Sequence, residues 1–172
     1  MRIYSETGDT ILSVKEQEEI ISWVIDYYHQ FDFVGYNKWR LGLKNTSDYP
    51  KVIDDIKERI IDIENLSKYN EEPIYNDIIE YSRNGADFSN HKDVNSDGMV
   101  HVRFDVYVKL PKNGGLPIYN GELINVKERQ YLCCRAGIDY HSRTTIKQSS
   151  GIIISYGFLM PYDEIGNILY NF

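Results

Sequence analysis

Residues 81–93 read Tyr81-Ser82-Arg83-Asn84-Gly85-Ala86-Asp87-Phe88-Ser89-Asn90-His91-Lys92-Asp93, and the end of this stretch decides how the remainder is understood. His91 and Asp93 stand at alternate-residue spacing, which puts an imidazole and a carboxylate on one face of a strand. Two such groups are most of a 2-His-1-carboxylate face, the arrangement that holds ferrous iron while leaving coordination positions open. One more ligand is needed, and His141, fifty residues downstream of His91, is the candidate.

The rest of the chain frames that pairing. At 172 residues it is read as a single domain, 1–172, long enough to bury a core. Apolar residues at 42% and charged residues at 26% are ordinary for a globular protein. A net charge of −7 argues against nucleic acid or an anionic membrane as partner. Residues Met1 to Thr10 lack the apolar stretch of a signal peptide, and no run is long enough to span a bilayer, so a cytoplasmic location is expected. Cys133 and Cys134 are adjacent and fall on opposite faces of a strand; they read as reduced, buried thiols.

The N-terminal part, 1–72, reads as mainly helical support. Ser13-Val14-Lys15-Glu16 has the form of a capping box, and Ile21, Val24, Ile25 and Tyr28 follow at helical spacing, so a helix is expected from Ser13 to about Gln30. The aromatic run Phe31 to Leu43, broken by Gly35 and Gly42, suggests a strand or two. Asp48-Tyr49-Pro50 opens a second helix with Ile53, Ile56, Ile60 and Ile63 as its buried stripe. From Pro73 onward, short β-rich runs take over: Ile74 to Tyr81, Val100 to Leu110, Leu116 to Val126, Gln130 to Cys134 and Gly151 to Leu159, with turn signals at Asn113-Gly114-Gly115 and Asn120-Gly121. Helices first and strands after predict an α+β fold.

Parity within Val100 to Leu110 separates two faces. Val102, Phe104, Val106 and Val108 point one way, fit to pack on the helices, while Arg103, Asp105, Tyr107 and Lys109 point the other. That second face is either a wet edge or the wall of a polar pocket.

Taken in order, Tyr81…Gly85-x-x-Phe88-x-x-His91-x-Asp93, Arg103-Phe104-Asp105-Val106-Tyr107-Val108, Gly114-Gly115, Ala136-Gly137…His141 and Ser155-Tyr156-Gly157-Phe158 resemble the Fe(II)- and 2-oxoglutarate-dependent dioxygenases, especially their prolyl 4-hydroxylase-like branch. The resemblance implies a double-stranded β-helix, a jelly-roll or cupin-like barrel over 73–172 backed by the N-terminal helices. His91, Asp93 and His141 would bind Fe(II). The enzyme would use 2-oxoglutarate and O₂, with ascorbate as accessory reductant, and hydroxylate a small-molecule or peptide substrate, proline-like by analogy, releasing succinate and CO₂. Tyr81 and Tyr107 match tyrosines that bind the cosubstrate, and Ser155 matches the serine of the closing strand.

One position departs from the family. Its members carry an Arg or Lys shortly before that serine, to pair with the far carboxylate of 2-oxoglutarate, and here Ile152 stands in its place. Arg103, on the polar face with Tyr107, is the expected substitute, with Arg135, Arg143 and Lys147 as rivals. Three other readings compete: a cupin-like metal protein without 2-oxoglutarate turnover, a sensor of a small acid, and a calcium loop at Asp93-x-Asn95-x-Asp97-Gly98. The calcium loop fails at its twelfth position, which is Phe104 and not glutamate. His29 and His101 read as ordinary, partly exposed histidines.

Overall fold

The structure is a computed structural model that describes residues 10–95 and 98–165. The capping box forms as expected: the Ser13 amide donates to Glu16 Oε2 at 2.8 Å and the Glu16 amide donates to Ser13 Oγ at 3.3 Å. It starts helix α1 (Val14–Tyr27), which tightens into a 3-10 turn over Tyr28–Gln30. Ile20 and Val24 form its buried stripe; Ile25, expected inside, is 48% exposed, because the packed face is rotated toward Ile20, Trp23 and Tyr28. Helix α2 (Val52–Glu64) begins two residues after Pro50 and buries Val52, Ile53, Ile56 and Ile60. Ile63 is half exposed. Asn65 turns the chain through left-handed backbone at φ 55°, and Leu66, fully buried, closes the stripe in place of Ile63.

Strands β1 (Asp32–Gly35) and β2 (Lys38–Gly42) make a hairpin inside the region read as helical support, followed by the short β3 (Asn70–Glu71). Next come β4 (Ile78–Arg83), β5 (Phe88–His91), β6 (Met99–Lys109), β7 (Pro117–Tyr119), β8 (Glu122–Leu123), β9 (Tyr131–Cys134), β10 (His141–Arg143) and β11 (Ser150–Pro161). The strand expected from Ile74 starts only at Ile78. The amides of Ile74, Tyr75 and Asn76 all donate to the Glu72 carboxylate, which holds those residues in a turn.

Two sheets result, one ordered β1-β2-β4-β11-β6-β9 with β3 on β11, the other β5-β10-β7-β8. From β4 onward the chain passes back and forth between them, so that β11 lies between β4 and β6 and β10 between β5 and β7. The larger sheet buries Ile79, Val102, Phe104, Val106, Val108, Ile152, Ile154, Tyr156 and Phe158 against the helices. Tyr156 also donates from its hydroxyl to the Ile53 carbonyl of α2 at 2.6 Å. A second, smaller core of Tyr107, Tyr119, Leu132, Cys134 and Ile153 fills the space facing the smaller sheet. Parity thus assigns Cys133 to one core and Cys134 to the other, and both are buried free thiols. The architecture is α+β, mostly sheet with two helices.

Candidate metal centre and adjoining cleft

Register brings the distant histidines together. β5 and β10 pair antiparallel with His91 directly opposite His141, and their ring centroids are 4.4 Å apart. Asp93 lies just beyond the end of β5, in the loop that follows and not on the strand itself. That loop is fixed by the backbone: the Asp93 amide donates to the Ala136 carbonyl at 2.8 Å, and the Asn95 side chain donates to the Gly137 carbonyl at 2.9 Å while accepting from the His101 amide at 3.0 Å.

The ligating atoms of His91, Asp93 and His141 lie within 4.8 Å of one another. Asp93 Oδ1 is 3.5 Å from His91 Nε2 and 3.7 Å from His141 Nε2. Each ring places Nδ1 on a carbonyl, that of Ser89 for His91 at 2.9 Å and that of Asp139 for His141 at 3.1 Å. With Nδ1–H donating outward, both Nε2 lone pairs face inward, the tautomer a metal ligand requires. Two imidazole nitrogens and one carboxylate oxygen converging from three sides fit a divalent transition metal. The electrostatics treat the two imidazoles differently. The Asp93 hydrogen bond raises the pKa of His91, burial lowers that of His141 toward the neutral form, and Asp93, which burial would raise, is held well below the carboxylate range by His101 and His91.

His101 is the residue that sequence reading misplaced. It is 1% exposed, with Nδ1 3.1 Å from Asp93 Oδ2 and Nε2 3.2 Å from Arg103 Nη1. A carboxylate on one side and a guanidinium on the other put its proton on Nδ1 and make Nε2 the acceptor. The signal was present in the sequence: His101 shares the parity of Arg103, Asp105 and Tyr107, and extending the polar face by one pleat would have included it.

Arg103 is buried among partners of its own. Nε donates to Ser155 Oγ at 2.6 Å, and Nη2 donates to the Asn76 carbonyl at 2.9 Å and to the Ser155 carbonyl at 3.1 Å. Ser155 Oγ in turn donates to Asp105. Gly157 makes room for this guanidinium, since a Cβ there would come within 3.2 Å of Arg103 Nη1. Arg103 and Ser155 therefore line the cleft as parts of one internal network, and Arg103 is not a free cation awaiting a ligand.

The cleft encloses about 360 Å³ and takes in His91, Asp93, His141, Arg103, Tyr107 and Ser155. Tyr81 is not among its walls. It points to the opposite face of β4, where it packs on Tyr28 and Trp39 with centroids 4.9 and 5.9 Å away. Its neighbour Glu80 faces the cleft in its place, bound by Arg40 and Arg143. Burial would raise the Glu80 carboxyl, but these two guanidinium groups hold it at about 2. Ile152 likewise faces the helices; the cleft-facing residues of β11 are Ile153 and Ser155, so the closing strand offers no cation there. Among the rivals, Arg135 is bound at both ends of its fork by Asp139 and Lys147 is exposed away from the cleft. Arg143 lies on the cleft wall, stacked over Phe88 at 3.9 Å. Tyr107 places a buried hydroxyl with no hydrogen-bond partner among the described residues, and burial raises its pKa far enough to keep it a donor.

Asn95 spends its side chain on backbone, the Asp93 carboxylate faces the histidines, and Asp97 lies outside the described residues. The Asp93 and Asn95 oxygens are thus committed elsewhere than to a calcium loop.

Two sheets of interleaved strand order, with His91, Asp93 and His141 gathered on the wall of one cleft, form a fold shared with a solved prolyl hydroxylase. Among solved structures, the chain resembles the viral collagen prolyl hydroxylase vCPH from Paramecium Bursaria Chlorella virus-1, determined as its 2OG complex. The TM-score is 0.68 at 17% identity, over 88% of this chain and 93% of that one. A truncated form of the same enzyme gives a TM-score of 0.63 at 18% identity, over 88% of both chains. No protein-family model and no curated protein matches the sequence.

Proposed function

We propose that this protein is an Fe(II)- and 2-oxoglutarate-dependent dioxygenase that hydroxylates an unactivated C–H bond of a small or peptidyl substrate, releasing succinate and CO₂. The observation that carries the proposal is the convergence of His91 Nε2, His141 Nε2 and Asp93 Oδ1 on one point beside the cleft. The two sheets would be the halves of a double-stranded β-helix, since their strand orders interleave as that fold requires. Bound at the triad, iron would supply O₂ activation coupled to oxidative decarboxylation of the 2-oxoacid.

The chain's own residues have separable tasks. The Ser89 and Asp139 carbonyls keep both imidazoles in the ligating tautomer. His101 holds Asp93 Oδ2, leaving Oδ1 for the metal. The far carboxylate of 2-oxoglutarate is assigned to Arg143 and the Tyr107 hydroxyl, because Arg143 has donors beyond the one given to Glu80 and Tyr107 has an unused one. This replaces Arg103 as the anchor. A charge-assisted hydrogen bond contributes about 1.5–3 kcal/mol, so Arg143→Ala should weaken apparent 2-oxoglutarate affinity about tenfold to a hundredfold.

The direct test is anaerobic addition of Fe(II) and 2-oxoglutarate, followed by admission of air. A weak visible charge-transfer band and then succinate are expected. Metal binding without either would favour a second reading, a cupin-like metal protein or small-acid sensor, for which the apolar Ile153 on the cleft face of the closing strand speaks.

A further inference from the structure

The mouth of the cleft carries more positive charge than 2-oxoglutarate can use. Lys38 and Arg40 lie on β2, in the hairpin added to the edge of the larger sheet next to β4. Pairing fixes their direction: Lys38 stands opposite Ser82 and Arg40 opposite Glu80, while the intervening Trp39 stands opposite Tyr81 and Leu41 opposite Ile79. Trp39 and Leu41 pack on the helix-facing core, so Lys38 and Arg40 face the cleft, which both of them line. The hairpin is held in place by the Asn37 side chain, which donates to the Asn84 carbonyl at 2.8 Å, and by the Arg83 amide, which donates to the Asn37 carbonyl at 3.0 Å.

Arg40 and Arg143 pair with one buried carboxylate, Glu80, which Lys38 also feels, while the other carboxylates of the cleft are engaged elsewhere, Asp93 with His91, His101 and His141, and Asp105 with Ser155 and through it Arg103. Lys38 makes no ion pair among the described residues. Its ammonium donates to the Asp87 carbonyl at 2.7 Å and lies 4.8 Å from the Phe88 ring centroid, whose other contact is the Arg143 guanidinium. Arg40 reaches Glu80 through Nη2 alone, and its buried Nε has no partner. Holding like charges this close inside a partly dehydrated cleft is costly unless an anion joins them. Glu80 neutralises one. On the reading of the cleft given above, the far carboxylate of 2-oxoglutarate takes a second at Arg143. One positive charge, at Lys38 and Arg40, is left over on a molecule whose net charge is −7.

We infer that the primary substrate is an anion whose carboxylate or comparable acidic group is held by Lys38 and Arg40, beside Phe88, while its reacting C–H is presented to the metal. That chemistry comes from one of two sources, a free small acid such as an amino acid, or an acidic residue within a peptide. A neutral prolyl peptide lacks it.

The test uses the intact chain with Fe(II) and saturating 2-oxoglutarate, kept anaerobic, and reads binding by calorimetry. Two probe sets are compared: free L-amino acids, proline included, against their carboxamides, and end-capped tripeptides carrying Glu against the same peptides carrying Gln. The expected result is a preference of about tenfold or more for the anionic member in one set, the value of one charge-assisted contact, and the set that shows it identifies the source. In both Lys38→Met and Arg40→Met, which keep the apolar stem and remove the charge, the preference should shrink several-fold. The inference is overturned if neutral members bind as well as anionic ones in both sets, if nothing binds in either, or if the preference survives in both variants. Absence of the charge-transfer band in the same samples would remove the iron and 2-oxoglutarate reading separately, because the heat of probe binding does not depend on that band.

Discussion

Behind the three residues that would touch the metal stands His101, and the centre depends on it. It fixes the non-ligating oxygen of Asp93 and is itself fixed by Arg103. Removal of such an outer partner lowers metal affinity by about 10- to 100-fold. His101→Ala should therefore weaken Co(II) or Fe(II) binding by that factor in direct titration, and His101→Asn, whose amide can donate from nearly the position of Nδ1, should recover part of it. If His101 were only core filling, the apolar His101→Leu would match His101→Asn. At this scale the sequence was legible where side-chain chemistry alone decides. His91, Asp93 and His141 are scarce residue types in a restrictive spacing, and Tyr107 was placed by parity. It was misleading where one step of register decides. Tyr81 and Glu80 are adjacent and face opposite sides of the same strand, and it is Glu80, not the motif-matched Tyr81, that lines the cleft. Arg103 had the right parity for a ligand, but whether its donors were free could not be read without knowing that Asn76 and Ser155 surround it.

Elements were read well where period and punctuation agree. The capping box at Ser13 and the long strand after Met99 occur as expected, while the run expected from Leu116 to Val126 is broken by the Asn120-Gly121 turn into the short hairpin of β7 and β8. The errors at Ile25, Ile63 and Ile74 share a cause: each was assigned from local spacing, while the outcome was set by what else fills the space, Trp23 and Tyr28, Leu66, and the Glu72 carboxylate. The Gly114 turn supports β10 from outside. Next to it, the Gly115 amide donates to the Thr144 carbonyl at 2.8 Å, just beyond Arg143. Gly114 has φ +83°, and a Cβ there would lie 2.0 Å from the Thr145 carbonyl oxygen, whereas Gly121, with φ +84°, has open space. Gly121→Ala should cost about 1–2 kcal/mol, the conformational penalty alone. Gly114→Ala should cost clearly more in urea denaturation, and equal costs would show that the turn yields without displacing Thr145.

For the molecule as a whole, acid should loosen the structure in a defined window. The Arg59 hydrogen bond lowers Glu16 to about 2, and Arg143 and Arg40 hold buried Glu80 at about 2, both from a usual value of 4.5. Carboxyls depressed in the folded state stabilise it fully above their unfolded pKa, and that contribution disappears as pH falls from about 4.5 through about 2. A Glu16→Gln, Glu80→Gln double variant should have a flatter stability profile across this window, measured by thermal melts at constant ionic strength. A ligand that binds only the folded form adds about 2.7 kcal/mol at a hundred times its dissociation constant. Fe(II) with 2-oxoglutarate should accordingly raise the melting temperature, and a chelator should reverse the gain.

The interleaving of the sheets has a temporal consequence. β10 and β11 are the last strands among the described residues, yet each occupies an interior position in its sheet, between partners made earlier. As the polypeptide leaves the ribosome, β4 and β6 must wait beside an empty lane, and His91 has no opposite number until residue 141 emerges. The nascent chain therefore cannot bring His91, Asp93 and His141 together until His141 has emerged. Folding dominated by such late, long-range insertion should be slow. A ribosome-stalled chain ending before His141 should bind Co(II) far more weakly than one stalled after β11 has cleared the exit tunnel.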